Sequence, residues 1–509
     1  MQDWTSGYVA DIGYTFGYYQ ELNPLRVKLA FLNAGLVCPE FGTACELGFG
    51  QGMSANIHAA ASLCSWHGTD FNPEQASFAQ ELATASGANS HLFDESFAQF
   101  AQRDLPDFDY IGLHGIWSWI SDENRQIIVE FVKKRLKVGG ILYISYNTLP
   151  GWARFMPIRN LMVEHAKVMG VEGDGILGRV DGALEFTKKL LETTTRFDTN
   201  SLLKDKVAQI NKLNKSYIAH EYFNHDWHPL TFNDVAKWLE PAKISFACSA
   251  NYLDHITFLN LTAEQKAILD EITDVAFKES VRDFMVNQQF RRDYWVKGAR
   301  KITELEQVEG IRKQRFVLVT NRLSVSLKIN GTLGEAQLSE VVYKPLLDLM
   351  ADHKIRSFEQ IEIALKPSGI DFAKLTQAIL LLTGTSTLTY AQDEQAIHHS
   401  RKHTDKLNNY IINKSRGSNE LIYLASPVTG GGIAVGRFQQ LFVLAIQKGM
   451  KKPVDWAAFV AGVLRTQGQR IVKEGKTLDT QDEMLAELES MANDFSNKLL
   501  PILKALQIA

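Results

Sequence analysis

One eight-residue segment, Cys45-Glu46-Leu47-Gly48-Phe49-Gly50-Gln51-Gly52, constrains this chain more than any other. It follows a short run of strand-forming residues and precedes a helical one, so its three glycines fall at a strand–turn–helix junction. Glycine adopts positive φ freely and lets the backbone approach a ligand where a side chain would clash. The helix beyond directs free N–H groups at whatever occupies the turn. A dinucleotide site would need GxGxxG or GxGxxA, and the final position here holds Met53. The spacing is instead GxGxG, with Glu46 two residues before the first glycine. Asp70 closes the next strand-like run, 18 residues after Gly52. An acid there can accept from both hydroxyls of a ribose lying across the strand ends, and with Asn72-Pro73 it also reads as a helix start. Asp94-Glu95 ends the third run. A carboxylate there either accepts from an adenine amino group or is a solvated loop acid.

Around this segment the first 150 residues alternate strand-like and helical runs, the pattern of an α/β sheet with crossover helices. Strands are expected at 44–47, 66–70, 91–93, 108–113 and 141–146, with helices at 53–63, 73–85 and 122–136. From 151 to 216 the strand signal stops. Leu184, Leu190 and Leu191, then Leu203, Val207, Ile210 and Leu213, have helical spacing. Strand-forming sequence returns at 244–250 and 255–259, after a helix at 231–239, and is expected to complete the interrupted sheet. Long helices follow from 261 to 300. Short strands at 316–320 and 324–329, helices at 340–351, 357–365 and 372–382 and a strand-like tail at 386–390 then suggest a winged-helix-like unit. The remainder is mostly helical, and its Gly430–Gly432 loop lacks the lysine of a P-loop and reads as a turn. The expected order is therefore 1–157 as the first part of the α/β domain, 158–216 as a helical insertion and 217–260 as completion of the sheet. Residues 261–392 form a middle, regulatory region, and 393–509 a helical C-terminal domain.

Composition narrows the function. With 509 residues, 45% hydrophobic and 22% charged, the chain is a folded protein of several domains. A formal charge of −4 gives no basic field for nucleic acid, and the 372–382 helix holds one basic residue, Lys374. No apolar run approaches the length of a membrane span, so no stable membrane insertion is expected. The first basic residue is Arg26, which leaves no charged region ahead of an apolar one and hence no expected leader. Four cysteines without a CxxC pair fit a reduced, cytoplasmic protein. His225, Asp226 and His228 lack a supporting fourth ligand and read as a helix-entry loop, so no metal is expected. Phe290-Arg291-Arg292-Asp293 reads as a salt-bridged helix in preference to a phosphate site.

The glycine turn with Glu46 and Asp70 in this setting resembles the class I S-adenosyl-L-methionine (AdoMet)-dependent methyltransferases over residues 40–150 and 217–260. Further segments narrow the resemblance: His114-Gly115-Ile116-Trp117-Ser118-Trp119, Ser145-Tyr146-Asn147-Thr148-Leu149-Pro150-Gly151-Trp152, His220-Glu221-Tyr222 and Phe290-Arg291-Arg292-Asp293-Tyr294. These are similar to bacterial methyltransferases with a methyltransferase regulatory domain, among them the rickettsial protein-lysine methyltransferases of outer-membrane proteins. The resemblance implies a seven-stranded, Rossmann-like sheet with an antiparallel last hairpin and an inserted helical dimerisation domain. It implies AdoMet held by Glu46, Gly48, Gly50, Gly52 and Asp70, with Phe49, Phe71, Asp94, Ser96, Phe97 and His114 beside it. The implied activity is N-methylation of a protein lysine by a homodimer. The alternative is a small-molecule or cell-surface acceptor, with the C-terminal domains serving assembly or regulation.

Methyl transfer is an in-line displacement, so a protein contributes alignment and desolvation. Aromatic faces suit a cationic donor and an amine acceptor. Trp117, Trp119, Tyr146 and Trp152 follow strand ends, where they either flank the reacting groups or pack between layers. Tyr14, Tyr18 and Tyr19 are candidates for a lid. Neutralising a lysine at pH 7.4 costs about 4 kcal/mol, which burial reduces. A dedicated base is then optional, and His114, Trp117, Tyr146 and Asn147 are the expected catalytic group, with His114 and Asn147 positioning the amine.

Overall fold

The computed structural model describes residue 8, residues 12–193 and residues 201–509; residues 194–200 of the expected insertion, and 1–7 and 9–11 of the expected first domain, lie outside the described residues. Apolar, strand-prone runs give β1 (Thr43–Leu47), β2 (Ser65–Thr69), β3 (Ser90–Phe93), β4 (Phe108–Leu113) and β5 (Leu136–Asn147). With β6 (Ser245–Ser249) and β7 (Phe290–Val296) they form one sheet in the order β3-β2-β1-β4-β5-β7-β6. The first five strands are parallel, and β7 runs antiparallel between β5 and β6. β1 and β4 are buried almost throughout, because helices cover both faces of the sheet. All the expected crossover helices form, at Met53–Ala61, Pro73–Ser86 and Asp122–Arg135.

The close of the sheet differs from expectation. Residues 255–259 hold a 3-10 turn and the short helix Thr257–Asn260, and the missing strand is β7, which lies past the expected boundary at 260. Its sequence, Phe290-Arg291-Arg292-Asp293-Tyr294-Trp295-Val296, resembles a polar helix because it carries three charges. Two of them are buried in the layer. Arg291 pairs with Asp293 on the same strand face and, at 2.6 Å and 2.8 Å, with Asp283 and Glu279 of the helix Val275–Met285. The ion pairs were expected; the strand was not.

Between β5 and β6 the chain forms the helices Met156–Val168, Gly175–Thr193, Ser201–Ile210 and Lys215–Tyr222. They share a core in which Ile158, Met162, Val180, Leu184, Val207 and Ile218 meet Trp152, Tyr222 and Trp227. Farther on, the helices Glu340–Leu349, Phe358–Leu365 and Phe372–Gly384 accompany a three-stranded sheet of Arg315–Leu318, Arg356–Ser357 and Leu388–Tyr390. A separate hairpin pairs Lys328–Gly331 with Gly334–Gln337. No helix among the described residues is long and apolar enough to cross a membrane.

The C-terminal part braces the glycine turn from behind. Every residue of the helix Met53–Ala61 is buried, packed against the helix Glu394–Lys414 and the hairpin Tyr423–Ser426/Gly431–Ala434. Of the expected Gly430–Gly432 loop, Gly430 ends the turn of that hairpin, and Gly431 and Gly432 already pair in its second strand, opposite Ser426 and Ala425. A Cβ on Gly431 would stand 2.5 Å from the Tyr18 hydroxyl, and the Asn23 amide donates to the Gly430 carbonyl at 2.9 Å. These glycines allow two backbones to meet.

Candidate active site

The turn after β1 is built by backbone conformation. Gly48, Gly50 and Gly52 have φ of 72°, 57° and 68°. The Gly48 N–H donates to the Thr69 carbonyl at 2.8 Å, which ties the turn to the end of β2. A Cβ on Gly48 would overlap Ile116, and one on Gly52 would lie 2.5 Å from the Ala79 Cβ. Gly50 differs: only Gln75 Oε1 lies within 4 Å of its Cβ position, and the residue lines a cavity. A side chain there would fill ligand space.

Two buried carboxylates flank the turn. Asp70 Oδ2 accepts from the Gly50 N–H at 2.8 Å and Oδ1 from the Asn72 N–H at 3.0 Å. Burial pushes its pKa up to about 6 against those two hydrogen bonds. Glu46 is driven further, to about 8, by burial and then by the neighbouring Asp70 charge. Its Oε2 is buried without a hydrogen-bond partner. A buried acid with an open lone pair is costly unless a donor or cation completes it.

These groups open into one cavity of about 1030 Å³ along the carboxyl ends of β1, β2, β4 and β5. Glu46, Gly48, Phe49, Gly50, Asp70 and Phe71 line its inner end, with Asp94, Ser96 and Phe97 beyond β3. Asp94 is exposed, and Ser96 caps the short helix Phe97–Ala101. His114 stacks on Tyr19 at 3.8 Å and shares a 2.7 Å hydrogen bond with the Tyr143 hydroxyl. Burial lowers its pKa to about 4, so the imidazole is neutral at physiological pH. Tyr8, Tyr14 and Tyr19 lie across the cavity as a cover. Tyr8 meets Phe71 edge-on, and Tyr14 meets His220, whose ring nitrogen contacts the Ile12 carbonyl at 3.1 Å. Tyr18 turns the other way, to His58 and the C-terminal hairpin.

At the outer end Asn147, Trp119, Trp152, Tyr217, Tyr222, Glu221 and Lys206 converge. Burial lifts the Glu221 carboxyl to about 7, while the Asn147 side chain and the Lys206 charge hold it down. Glu221 and Lys206 were not singled out as site residues from the sequence. Glu221 belongs to the His220-Glu221-Tyr222 segment noted above, but only the fold brings that helix to the end of β5.

Besides the lid candidate Tyr18, three expected site residues fall outside the cavity. Gly52 starts the following helix, where its lack of a side chain admits Ala79. Tyr146 is fully buried and its hydroxyl donates to Asp293 Oδ2 at 2.8 Å, beneath the sheet surface. Trp117 is also fully buried, among Leu47, Leu113, Ile128 and Val129. Its place past β4 is a 3-10 turn that sends Trp117 into the core and Trp119 toward the cavity. The structure thus places Tyr146 and Trp117, both expected among the catalytic group, in packing positions away from the cavity lining. Trp117→Ala should lower stability by about 3–5 kcal/mol, read as an earlier thermal melt, while the folded fraction keeps its activity per molecule. His225 and His228 flank Asp226 at 3.6 Å and 3.2 Å on the rim. No group of metal-binding side chains occurs among the described residues.

Comparison with known proteins agrees with this architecture. A family model described as a predicted methyltransferase regulatory domain matches residues 214–297. That span holds the helix Lys215–Tyr222, β6 and β7, so it includes the close of the sheet and starts well ahead of the 261–392 region expected to be regulatory. The Synechocystis sp. (PCC 6803) protein sll1526 is 40% identical over 512 residues, covering 99% of this chain and 100% of its own. The Rickettsia prowazekii protein RP789 is 25% identical over 302 residues, 59% of this chain and 54% of its own. Among solved structures, PKMT2 from Rickettsia typhi in complex with AdoHcy matches 97% of this chain and 100% of its own, with a TM-score of 0.70 at 18% identity. The end-to-end identity shows that this chain belongs to one family with the Synechocystis protein sll1526; it carries the matched methyltransferase regulatory domain segment and has the class I methyltransferase fold that it shares with PKMT2.

Proposed function

We propose that the protein is an AdoMet-dependent methyltransferase that N-methylates a lysine side chain of a protein, working as a cytoplasmic homodimer. One observation carries the reading: a single cavity joins a glycine cradle between two buried carboxylates to an aromatic mouth that bears a third. AdoMet supplies a methyl group on a positively charged sulfur. The residues fit it, since Glu46 Oε2 lacks a partner and the Gly50 position leaves ligand space open. Asp70 would hold the ribose hydroxyls, and Glu46 the cationic amino-acid end. Tyr8, Tyr14 and Tyr19 exclude water, which strengthens every charge interaction beneath them. At the mouth, Trp119, Trp152 and Tyr222 line the space an amine would enter, and the Trp152 ring already faces a cation, Lys206. Asn147 and Glu221 orient it, and Glu221 takes up the proton that the amine loses. The four cysteines are free thiols, in keeping with a reducing compartment.

The direct test is labelled AdoMet with a cell lysate: label entering protein lysines is expected, and label confined to small molecules would overturn the acceptor assignment. AdoMet or AdoHcy should also raise the melting temperature, and NAD should not.

Glu46 sets a pH dependence of binding. Its pKa in the free site is about 8, and a cationic ligand favours the ionised form. Below that pH, binding expels one proton, so affinity should rise with pH toward 8, by at most about tenfold per unit, until the ligand's own α-amino group, with a pKa of about 8, loses its charge. Calorimetry in buffers of different ionisation enthalpy reads the released proton. Glu46→Gln should abolish the slope.

For the dimer, the helices Met156–Val168 and Gly175–Thr193 and the turn between them expose Leu161, Val168, Met169, Val171, Leu177 and Phe186. An apolar surface of this kind is usually covered by a partner. Light scattering at micromolar concentration should report a dimer, and Met169→Glu with Phe186→Glu should give a monomer.

A further inference from the structure

The inserted helix Ser201–Ile210 brings Lys206 into the outer end of the cavity, and Lys206 is the lysine among the described lining residues. Its Nζ lies 5.0 Å from the centre of the Trp152 ring. Asn147, Glu221 and Tyr222 line the same end. The chain thus places one of its own primary amines among the groups that would receive an acceptor. We propose that Lys206 is a self-methylation site, modified within the same chain that carries it. This rests on the methyltransferase reading given above.

The surroundings suit the reaction. Burial lowers the Lys206 pKa, which makes the neutral amine easier to reach, while Glu221 opposes that shift by its charge. In the step, the lone pair of neutral Lys206 forms an N–C bond as the methyl–sulfur bond of AdoMet breaks. The bonding electrons stay on sulfur, giving the neutral thioether AdoHcy. The proton that Lys206 gives up to become neutral goes to Glu221 or water before the attack, and the product is the methylated ammonium. A methylated Lys206 keeps its charge and gains apolar surface, which strengthens its contact with the Trp152 face.

Two measurements on the full chain test this. In the first, purified protein is incubated with AdoMet bearing a deuterated methyl group and no other protein, then digested and mapped by mass spectrometry. Label on Lys206 is expected, at a rate per chain independent of protein concentration. Lys206→Arg should remove it. The second measurement needs no turnover: acylation of Lys206 by an amine reagent, with and without AdoHcy. If Lys206 occupies the acceptor end, AdoHcy should slow its acylation severalfold and leave exposed lysines unchanged. If AdoHcy raises the melting temperature but Lys206 stays unlabelled, or its labelling rate per chain rises with protein concentration, the self-methylation proposal falls and the methyltransferase reading stands. If neither AdoMet nor AdoHcy changes the melt, both fall.

Discussion

Asp70→Ala is expected to weaken AdoMet binding by more than about 100-fold. The ribose would be held by two hydrogen bonds to an ionised acceptor, and together such bonds contribute about 3 kcal/mol or more. A second effect adds to the first. Asp70 also accepts from the Gly50 and Asn72 N–H groups, so its loss slackens the turn that shapes the cradle. Asp70→Asn separates the two effects, because it keeps one acceptor oxygen for the backbone and turns the other into a donor. Asp94→Ala serves as the contrast: this carboxylate is exposed at the rim of the cavity, and its removal should change affinity only severalfold. Calorimetric titration of all three variants decides the matter. A loss below about tenfold in a well-folded Asp70→Ala protein would move the ribose to another residue.

The parts of this site that could be read from the sequence are those fixed by local geometry. Gly48, Gly50 and Gly52 all have positive φ, and an acid at the end of each of the first two strands sits within reach of the turn they make. Helix starts were equally legible, because Asn72 and Ser121 cap their helices through their own side chains. Misreadings arose where burial decided. Arg291, Arg292 and Asp293 hid an interior strand of the sheet, since only the packed fold supplies the Asp283 and Glu279 that let Arg291 be buried. Tyr146 and Asn147 are neighbours on one strand, so they point to opposite faces, and a site that uses Asn147 sends Tyr146 under the sheet. Trp117 and Trp119 share a single turn, and nothing in their spacing says which of them faces the cavity. Glu221 and Lys206 are farthest from a local reading. Both come from helices after the sheet's fifth strand, and their approach to Asn147 depends on how those helices pack around Trp152 and Tyr222.

That packing leads to the second large effect. Glu221→Gln should lower kcat about 100-fold or more while leaving AdoMet affinity nearly unchanged, because Glu221 stands with Asn147 and Lys206 and takes no part in the glycine turn that Asp70 braces. Glutamine keeps the shape and the hydrogen bonding but cannot balance a cation or take its proton. The pH profile gives the sign. The Glu221 carboxyl is lifted to about 7 by burial, and only its ionised form can accept a proton. Wild-type kcat/KM should therefore rise with pH through about 7, a limb that reports the free enzyme. In Glu221→Gln that limb should disappear, with the small residual rate set by the amine's own titration at higher pH. A purely structural Glu221 predicts the reverse pattern: an earlier melt, and a pH profile that keeps its acidic limb. Asn147→Ala probes the same end through a neutral group and should reduce kcat less, since it removes orientation without removing charge. If Glu221→Gln and Asn147→Ala raise KM for the acceptor and spare kcat, the two residues bind the amine equally in ground and transition states, and the proton leaves by way of water.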